Sequence, residues 1–306
     1  MKRYKKYIIK AAEGCDFDIS KDKNGDLVIT IINKDETNAY SKKYANPPIP
    51  KGYKHILGEW NKGYVIERCS DGSQFVWIPV GSLDSNGTID GYSFTEEFGR
   101  RNYHENEFSK NEFHEESTFE FLLQFESVKK YGGFYISRYN ISKNKETGKP
   151  QSVKGAMPWV NIYFDDANKI AATLEDNKEV KSHLVFGAEY DSVLEWFLES
   201  HARTKKEIVN DSSQWGRYRN SDPLNSLDVI ETGSSERYCT NNIYDFAGNV
   251  SEWTQEQYEE SHHVTRGGNC YLNGYAYSVF YRNVYFGIPS NAKDLYTGFR
   301  IALYIK

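Results

Sequence analysis

The sequence predicts an α+β fold, rich in irregular loops and preceded by a small N-terminal β-hairpin piece. Strand-like and helix-like stretches alternate in mixed order with no internal repeat. Three stretches carry an apolar stripe at helical spacing. The stretch 269–296 keeps neither a helical nor a strand period, as irregular loops do not.

The elements follow in order. Asp16–Ile19 and Leu27–Ile31 flank Asn24-Gly25, a turn pair suited to positive φ at both positions, which predicts a hairpin. Asn46-Pro-Pro-Ile-Pro50 reads as a stiff, extended linker. Residues 1–50 are therefore set apart as an attachment segment, and the main domain is placed at 58–306. Tyr64–Arg68 and Phe75–Val80 are strands around an Asp71-Gly72 turn. Residues 84–116 form a charged insert containing His104, Glu105, Glu107, His114, Glu115 and Glu116, read as a solvated loop. Ser117 or Thr118 caps a helix carrying Leu122, Phe125 and Val128, stopped by Gly132-Gly133. A strand pattern follows over Gly133–Asn140. Asp165 caps a second helix with Ala167, Ile170, Ala171 and Leu174 on one face, and Tyr190, Val193, Leu194 and Phe197 mark a third.

Composition narrows the function classes. A net charge of −5 disfavours nucleic-acid binding, which needs basic density to displace counterions. The basic residues Lys2, Arg3, Lys5, Lys6 and Lys10 enclose only Tyr7-Ile8-Ile9, too short for a signal-peptide core, and no stretch is long enough to span a membrane. The expectation is synthesis in the cytoplasm without a signal peptide and without membrane insertion. Cysteines at 15, 69, 239 and 270 show no CxxC pair, so they read as free thiols. Phosphate-loop, nucleophile-elbow and zinc-protease motifs are missing. His262-His263 are adjacent on a strand, point to opposite faces and read as surface or loop residues.

The C-terminal text is more specific. Asn242-Ile-Tyr-Asp-Phe-Ala-Gly-Asn-Val-Ser-Glu-Trp-Thr254, Arg266-Gly267-Gly268, Arg282 and Gly298-Phe299-Arg300 resemble, in order, motifs of the formylglycine-generating-enzyme (sulfatase-modifying-factor) family. Phe75–Gly81, Phe134–Tyr139, Pro158–Ile162 and His183–Tyr190 fall in the expected order upstream, so the resemblance covers roughly 73–306. It implies a C-type-lectin fold of that family's type, in which Trp253, Arg282 and Phe299 are buried framework. Arg266, Arg282 and Arg300 are expected to donate to loop carbonyls. The family's oxidase members hold copper(I) with two thiolates at the fourth and ninth residues after the R-G-G motif. Leu272 and Tyr277 stand there in this chain, and no cysteine follows Cys270. The resemblance also implies a structural calcium ion held by Asn249, Val250 (through its carbonyl) and Glu252; no other cofactor is expected. The E-P-N, Q-P-D and W-N-D sugar-and-calcium tripeptides of C-type lectins are absent.

Between the framing motifs the residue palette changes. From 271 to 296, eight of 26 residues are Phe or Tyr, about twice the chain's own frequency, interspersed with Asn, Ser and Gly. Such a mixture suits adaptable recognition loops. The expected ligand-binding residues are Tyr271, Leu272, Asn273, Tyr275, Tyr277, Tyr281, Asn283, Val284, Tyr285, Phe286, Ile288, Ser290 and Asn291. Fixed framing motifs around an erratic aromatic interior also resemble the variable proteins of diversity-generating retroelements. The reading is a non-catalytic recognition protein for a protein or glycan ligand, displayed on a virion or cell surface through residues 1–50, where attachment to a larger phage or cell-surface assembly is expected. The alternative is a metal-dependent, oxidase-like enzyme of the same superfamily with altered chemistry, drawing on 104–116.

Overall fold

The computed structural model describes residues 15–21, 27–33, 47–80, 98–101, 103, 113–115, 118–221, 227–258, 262–284 and 294–306. Seventeen strands occur among them: β1 (Cys15–Lys21), β2 (Leu27–Asn33), β3 (Tyr53–Leu57), β4 (Val65–Arg68), β5 (Gln74–Pro79), β6 (Phe113–Glu115), β7 (Gly133–Ser137), β8 (Ser142–Lys143), β9 (Pro150–Gln151), β10 (Val180–Leu184), β11 (Cys239–Thr240), β12 (Ile243–Tyr244), β13 (Ser251–Tyr258), β14 (His262–Arg266), β15 (Asn283–Val284), β16 (Thr297–Phe299) and β17 (Ile301–Ile305). The helices are α1 (Thr118–Tyr131), α2 (Phe164–Ala171), α3 (Gly187–Glu199) and α4 (Lys205–Val209).

β1 and β2 pair antiparallel as expected; their Asn24-Gly25 turn lies outside the described residues. The main sheet runs β10-β17-β7-β5-β4-β3, every neighbour antiparallel. Both of its faces are covered, which explains near-continuous apolar strands. On one face Val65, Val76, Ile136 and Ala302 align across four strands beneath α3 residues Tyr190, Val193, Leu194 and Phe197. On the other, Trp77, Tyr135 and Leu303 align and pack with Phe164, Ala167 and Ala171 of α2 and with Trp253 and Phe299. The strand period of two thus feeds two separate cores.

The second sheet centres on β13. β14 pairs with one edge; parallel β16 and antiparallel β6 share the other. β16 leads through Arg300 straight into β17, so the chain steps between sheets at the Gly298-Phe299-Arg300 motif. Trp253 and Phe299 are buried, and Trp253 Nε1 donates to the Ile162 carbonyl at 3.2 Å. The architecture is the expected α+β one. No helix among the described residues is long and apolar enough to cross a membrane.

Several expectations are corrected. The main sheet begins before residue 58, because β3 is its edge strand; Pro47 and Pro50 are buried, so this end of the expected linker packs onto the domain. α1 exposes Leu122 and turns Phe121, Gln124, Phe125 and Val128 inward; buried Gln124 donates to Glu189 of α3. α2 has Tyr163 at its N-cap position with no side-chain capping bond, and Asp165 and Asp166 lie in its first turn, where carboxylates favour the helix dipole. His263 is buried and stacks on Phe164 at 3.4 Å, so it is a core residue. The insert is anchored by buried Phe98, Tyr103 and Phe113, whereas His104, Glu105 and Glu107 lie outside the described residues.

Trp253→Ala and Phe299→Ala are each expected to cost about 3–5 kcal/mol as large-to-small core changes. Urea melts check this; wild-type midpoints for both variants would contradict the packing described.

Candidate functional site

The candidate site is the loop that leaves β14 and returns at β15. Its two ends are fixed by charge. Arg266 donates to Asp191 Oδ1 at 2.7 Å and to Glu256 Oε2 at 3.0 Å. Arg282 donates to Asp191 Oδ2 at 2.6 Å and to Glu256 Oε1 at 2.6 Å. Each guanidinium therefore bridges both carboxylates, and all four side chains are buried. The Arg101 amide also donates to Asp191 Oδ2 at 2.7 Å, and Tyr103 Oη donates to the Asp191 carbonyl at 3.0 Å, so the insert covers this cluster.

Between its charged ends the loop backbone is pinned. Gly268 has φ 65°, and a Cβ there would lie 2.6 Å from both the Tyr218 ring and the Tyr277 carbonyl. Asn269 accepts from the Tyr271 amide at 3.0 Å and donates to Ser251 Oγ at 3.0 Å. Gly274 is wedged against Ser213 and Tyr218; its amide donates to Asn220 Oδ1, and its carbonyl accepts from the Ser212 amide. Ser278 Oγ donates to the Val209 carbonyl, the Val279 amide donates to Ser212 Oγ, and Phe280 packs edge-on against Tyr103.

What the pinned backbone presents outward is aromatic. Tyr271, Tyr275 and Tyr281 are exposed at 49%, 61% and 38%. Tyr271 stacks with Tyr296 at 5.5 Å, Tyr277 meets Tyr281 edge-on at 5.4 Å, and Asn273 Nδ2 donates to Tyr275 Oη at 3.2 Å. Leu272, Asn273, Tyr277 and Asn283 are half-buried. Val284 is a correction: it is buried against Phe113 and Val264 and faces away from solvent. Tyr285, Phe286, Ile288, Ser290 and Asn291 lie outside the described residues.

Two of the three residues implied for calcium are engaged by protein groups. Asn249 spends both ends of its amide on Ile230, accepting from its N–H at 3.0 Å and donating to its carbonyl at 3.1 Å. Glu252 Oε1 accepts from Arg300 Nε and from Asn140 Nδ2, each at 2.7 Å. Burial pushes the Glu252 carboxyl up to about 7 despite the arginine. Arg300 also donates to the carbonyls of Ser137 and Tyr244. No cluster of three or more His, Cys, Asp or Glu suited to a metal occurs among the described residues. Cys270 is buried, donates to the Leu227 carbonyl at 3.2 Å, and has its thiol pushed up to about 11 by burial.

Arg300 matches the expected carbonyl donor, but Arg266 and Arg282 pair with carboxylates. Asp191 and Glu256 escaped the sequence reading; the only available signal was an acid within the apolar run of α3 and another in a strand. Tyr218, Ser212 and Ser213, which pin the loop, carried none.

The model of the sulfatase-modifying factor enzyme 1-like domain matches residues 62–305. No curated protein matches the chain. Among solved structures the chain is similar to the Major Tropism Determinant U1 variant, at 12% identity over 98% of this chain and 74% of that one, with a TM-score of 0.37. The M1 variant matches at the same identity and coverage with a TM-score of 0.34.

Arg282→Met strands two carboxylates against one guanidinium and is expected to destabilise the protein by about 3–5 kcal/mol, the range for breaking a buried ion pair. Denaturant titration measures it; a loss below about 1 kcal/mol, the worth of a surface pair, would contradict the cluster.

Proposed function

We propose that this chain, which belongs to the sulfatase-modifying factor enzyme 1-like domain family, is a non-catalytic recognition protein whose binding face is the outward side of 269–296. One observation carries the reading: exposed tyrosines stand on a backbone held by buried groups. Of the nine large apolar side chains exposed among the described residues, Tyr271, Tyr275, Tyr281 and Leu295 belong to this stretch. Exposed apolar clusters mark interaction sites, and tyrosine provides contact area at low entropic cost. Pinning the backbone beforehand lowers the ordering cost of binding.

The chemistry of the family's oxidases has no support in these side chains. Leu272 and Tyr277 occupy the thiolate positions, and Cys270, with its raised pKa, holds little thiolate near neutral pH. A protein or glycan ligand and display on a larger assembly through the N-terminal segment complete the reading. The framing of an aromatic loop by fixed motifs supports retroelement diversification of its outward positions.

Tyr271→Ser together with Tyr275→Ser is expected to leave the melting midpoint within about 2 °C, since exposed sites contribute little to stability. A sulfatase-type peptide incubated with the protein, copper and oxygen is expected to stay unoxidised by mass spectrometry; an aldehyde product would overturn the non-catalytic reading. For diversification, the flanking DNA is expected to hold a near-copy of the codons for 266–300 that differs only at adenines, beside a reverse-transcriptase gene. Its absence would remove that part of the proposal.

A further inference from the structure

Arg219 differs from most arginines of this chain in having nothing to do inside it. Eight other arginines among the described residues commit their guanidinium groups to a carboxylate or a carbonyl oxygen. Arg219 is exposed, and its guanidinium makes no hydrogen bond or ion pair among the described residues. Its backbone is nevertheless fixed. The Arg219 amide donates at 2.9 Å to the carbonyl of Leu272, which stands between Tyr271 and Asn273 in the aromatic loop. A planar donor fork with no internal partner suits two-pronged recognition of a carboxylate.

The surroundings favour an anion. Neither 212–221 nor 267–283 contains an Asp or Glu, although the chain carries a net charge of −5. Exposed Arg237 donates to the carbonyls of Ser213, Gln214 and Ser221 at 3.2, 3.3 and 3.4 Å. It pairs with no carboxylate among the described residues, so its charge adds to that of Arg219 on the same stretch. Of the acids bracketing these stretches, Asp211 and Asp294 accept from the amides of Ser213 and Tyr296, and Asp222 lies outside the described residues. Neutral donors stand beside the two arginines. Asn220 Oδ1 accepts from the Gly274 amide at 3.0 Å, which leaves Asn220 Nδ2 without a partner among the described residues. Tyr275 Oη accepts from Asn273 Nδ2 and keeps its own proton to donate. Apolar area adjoins these donors: Tyr271 and Tyr275 are exposed, and Leu295, 62% exposed, precedes the Tyr296 that stacks on Tyr271. An aliphatic side chain gains from burial against another apolar side chain, which a polypeptide supplies and an acidic polysaccharide does not.

We propose that Arg219 is a specificity-determining residue of the tyrosine face, receiving the carboxylate of an acidic side chain on a polypeptide ligand while Tyr271, Tyr275 and Leu295 cover an apolar side chain next to it. The inference rests on the recognition reading above and adds the chemistry of the ligand to it. Arg237, whose donors are occupied, contributes charge alone.

The test selects binders of the full chain from a displayed library of random dodecapeptides. Enriched sequences are expected to share an Asp or Glu beside an aromatic or aliphatic residue. A labelled copy of the most enriched peptide is then followed by fluorescence anisotropy. Arg219→Gln should weaken it about tenfold or more, as loss of a charge-assisted contact does. Replacing the shared acid of the peptide by its amide should cost a similar factor, and the amide peptide should bind wild type and Arg219→Gln alike, the non-additivity of a direct pair. Arg219→Gln keeps the backbone bond to Leu272, and its melting midpoint is the folding control. Peptides that need Tyr271 and Tyr275 but share no acid, or that bind Arg219→Gln as they bind wild type, would overturn the carboxylate assignment and leave the tyrosine face in place. Peptides indifferent to Tyr271→Ser/Tyr275→Ser would remove the face and the assignment together. Absence of enriched peptides would overturn the polypeptide ligand, and binding of oligogalacturonate that is lost in Arg219→Gln would give the carboxylate to a glycan instead.

Discussion

The buried square of Arg266, Asp191, Arg282 and Glu256 is the interaction on which the aromatic loop depends. Removing four charges from water costs several kcal/mol per ion, so the arrangement holds only while each guanidinium meets both carboxylates. Its members come from α3, β13, the end of β14 and the return of the loop. The two arginines bracket residues 267–281, so one charge cluster fixes both the departure and the return of that loop. Closing a loop is entropically costly, and here the closure is built into the core.

The rest of the fold brings those four groups together. The main sheet places α3 over one face, and β13 lies on the side of the other core. Arg300 repeats the logic at the crossing between sheets, where it joins Glu252 of β13 to carbonyls at the ends of β7 and β12. The family motifs are thus framework residues with identifiable electrostatic tasks, and the loop between them turns three tyrosines outward. A family fold does not fix function, which resides in the side chains displayed.

Much of the frame was legible in the sequence because it rests on local period and on motif glycines and arginines. The α3 stripe and the β4–β5 and β7 strands follow from spacing alone. α1 was legible as a helix but not in its facing: Leu122 looks inward by pattern, yet Gln124 takes the buried place because Glu189 waits across the interface. Asp191 and Glu256 were hidden, since an ion pair between residues 75 positions apart, as Arg266 and Asp191 are, leaves no local trace. Composition located the aromatic loop but could not sort it. Phe280 and Val284 are as apolar as their neighbours and lie inside, whereas Tyr271 and Tyr275 lie outside; tertiary contacts with Tyr103 and Phe113 make that difference.

A loop pinned from within should combine a rigid inner side with an exchangeable outer side. A substitution scan across 269–284, scored position by position for protease resistance of the folded chain, separates the two sides. Broad tolerance is expected at Tyr271, Tyr275, Ala276 and Tyr281, with loss of folding at Gly274, Ser278, Val279 and Arg282. Equal sensitivity of the two sets, or tolerance at Arg282, would contradict it.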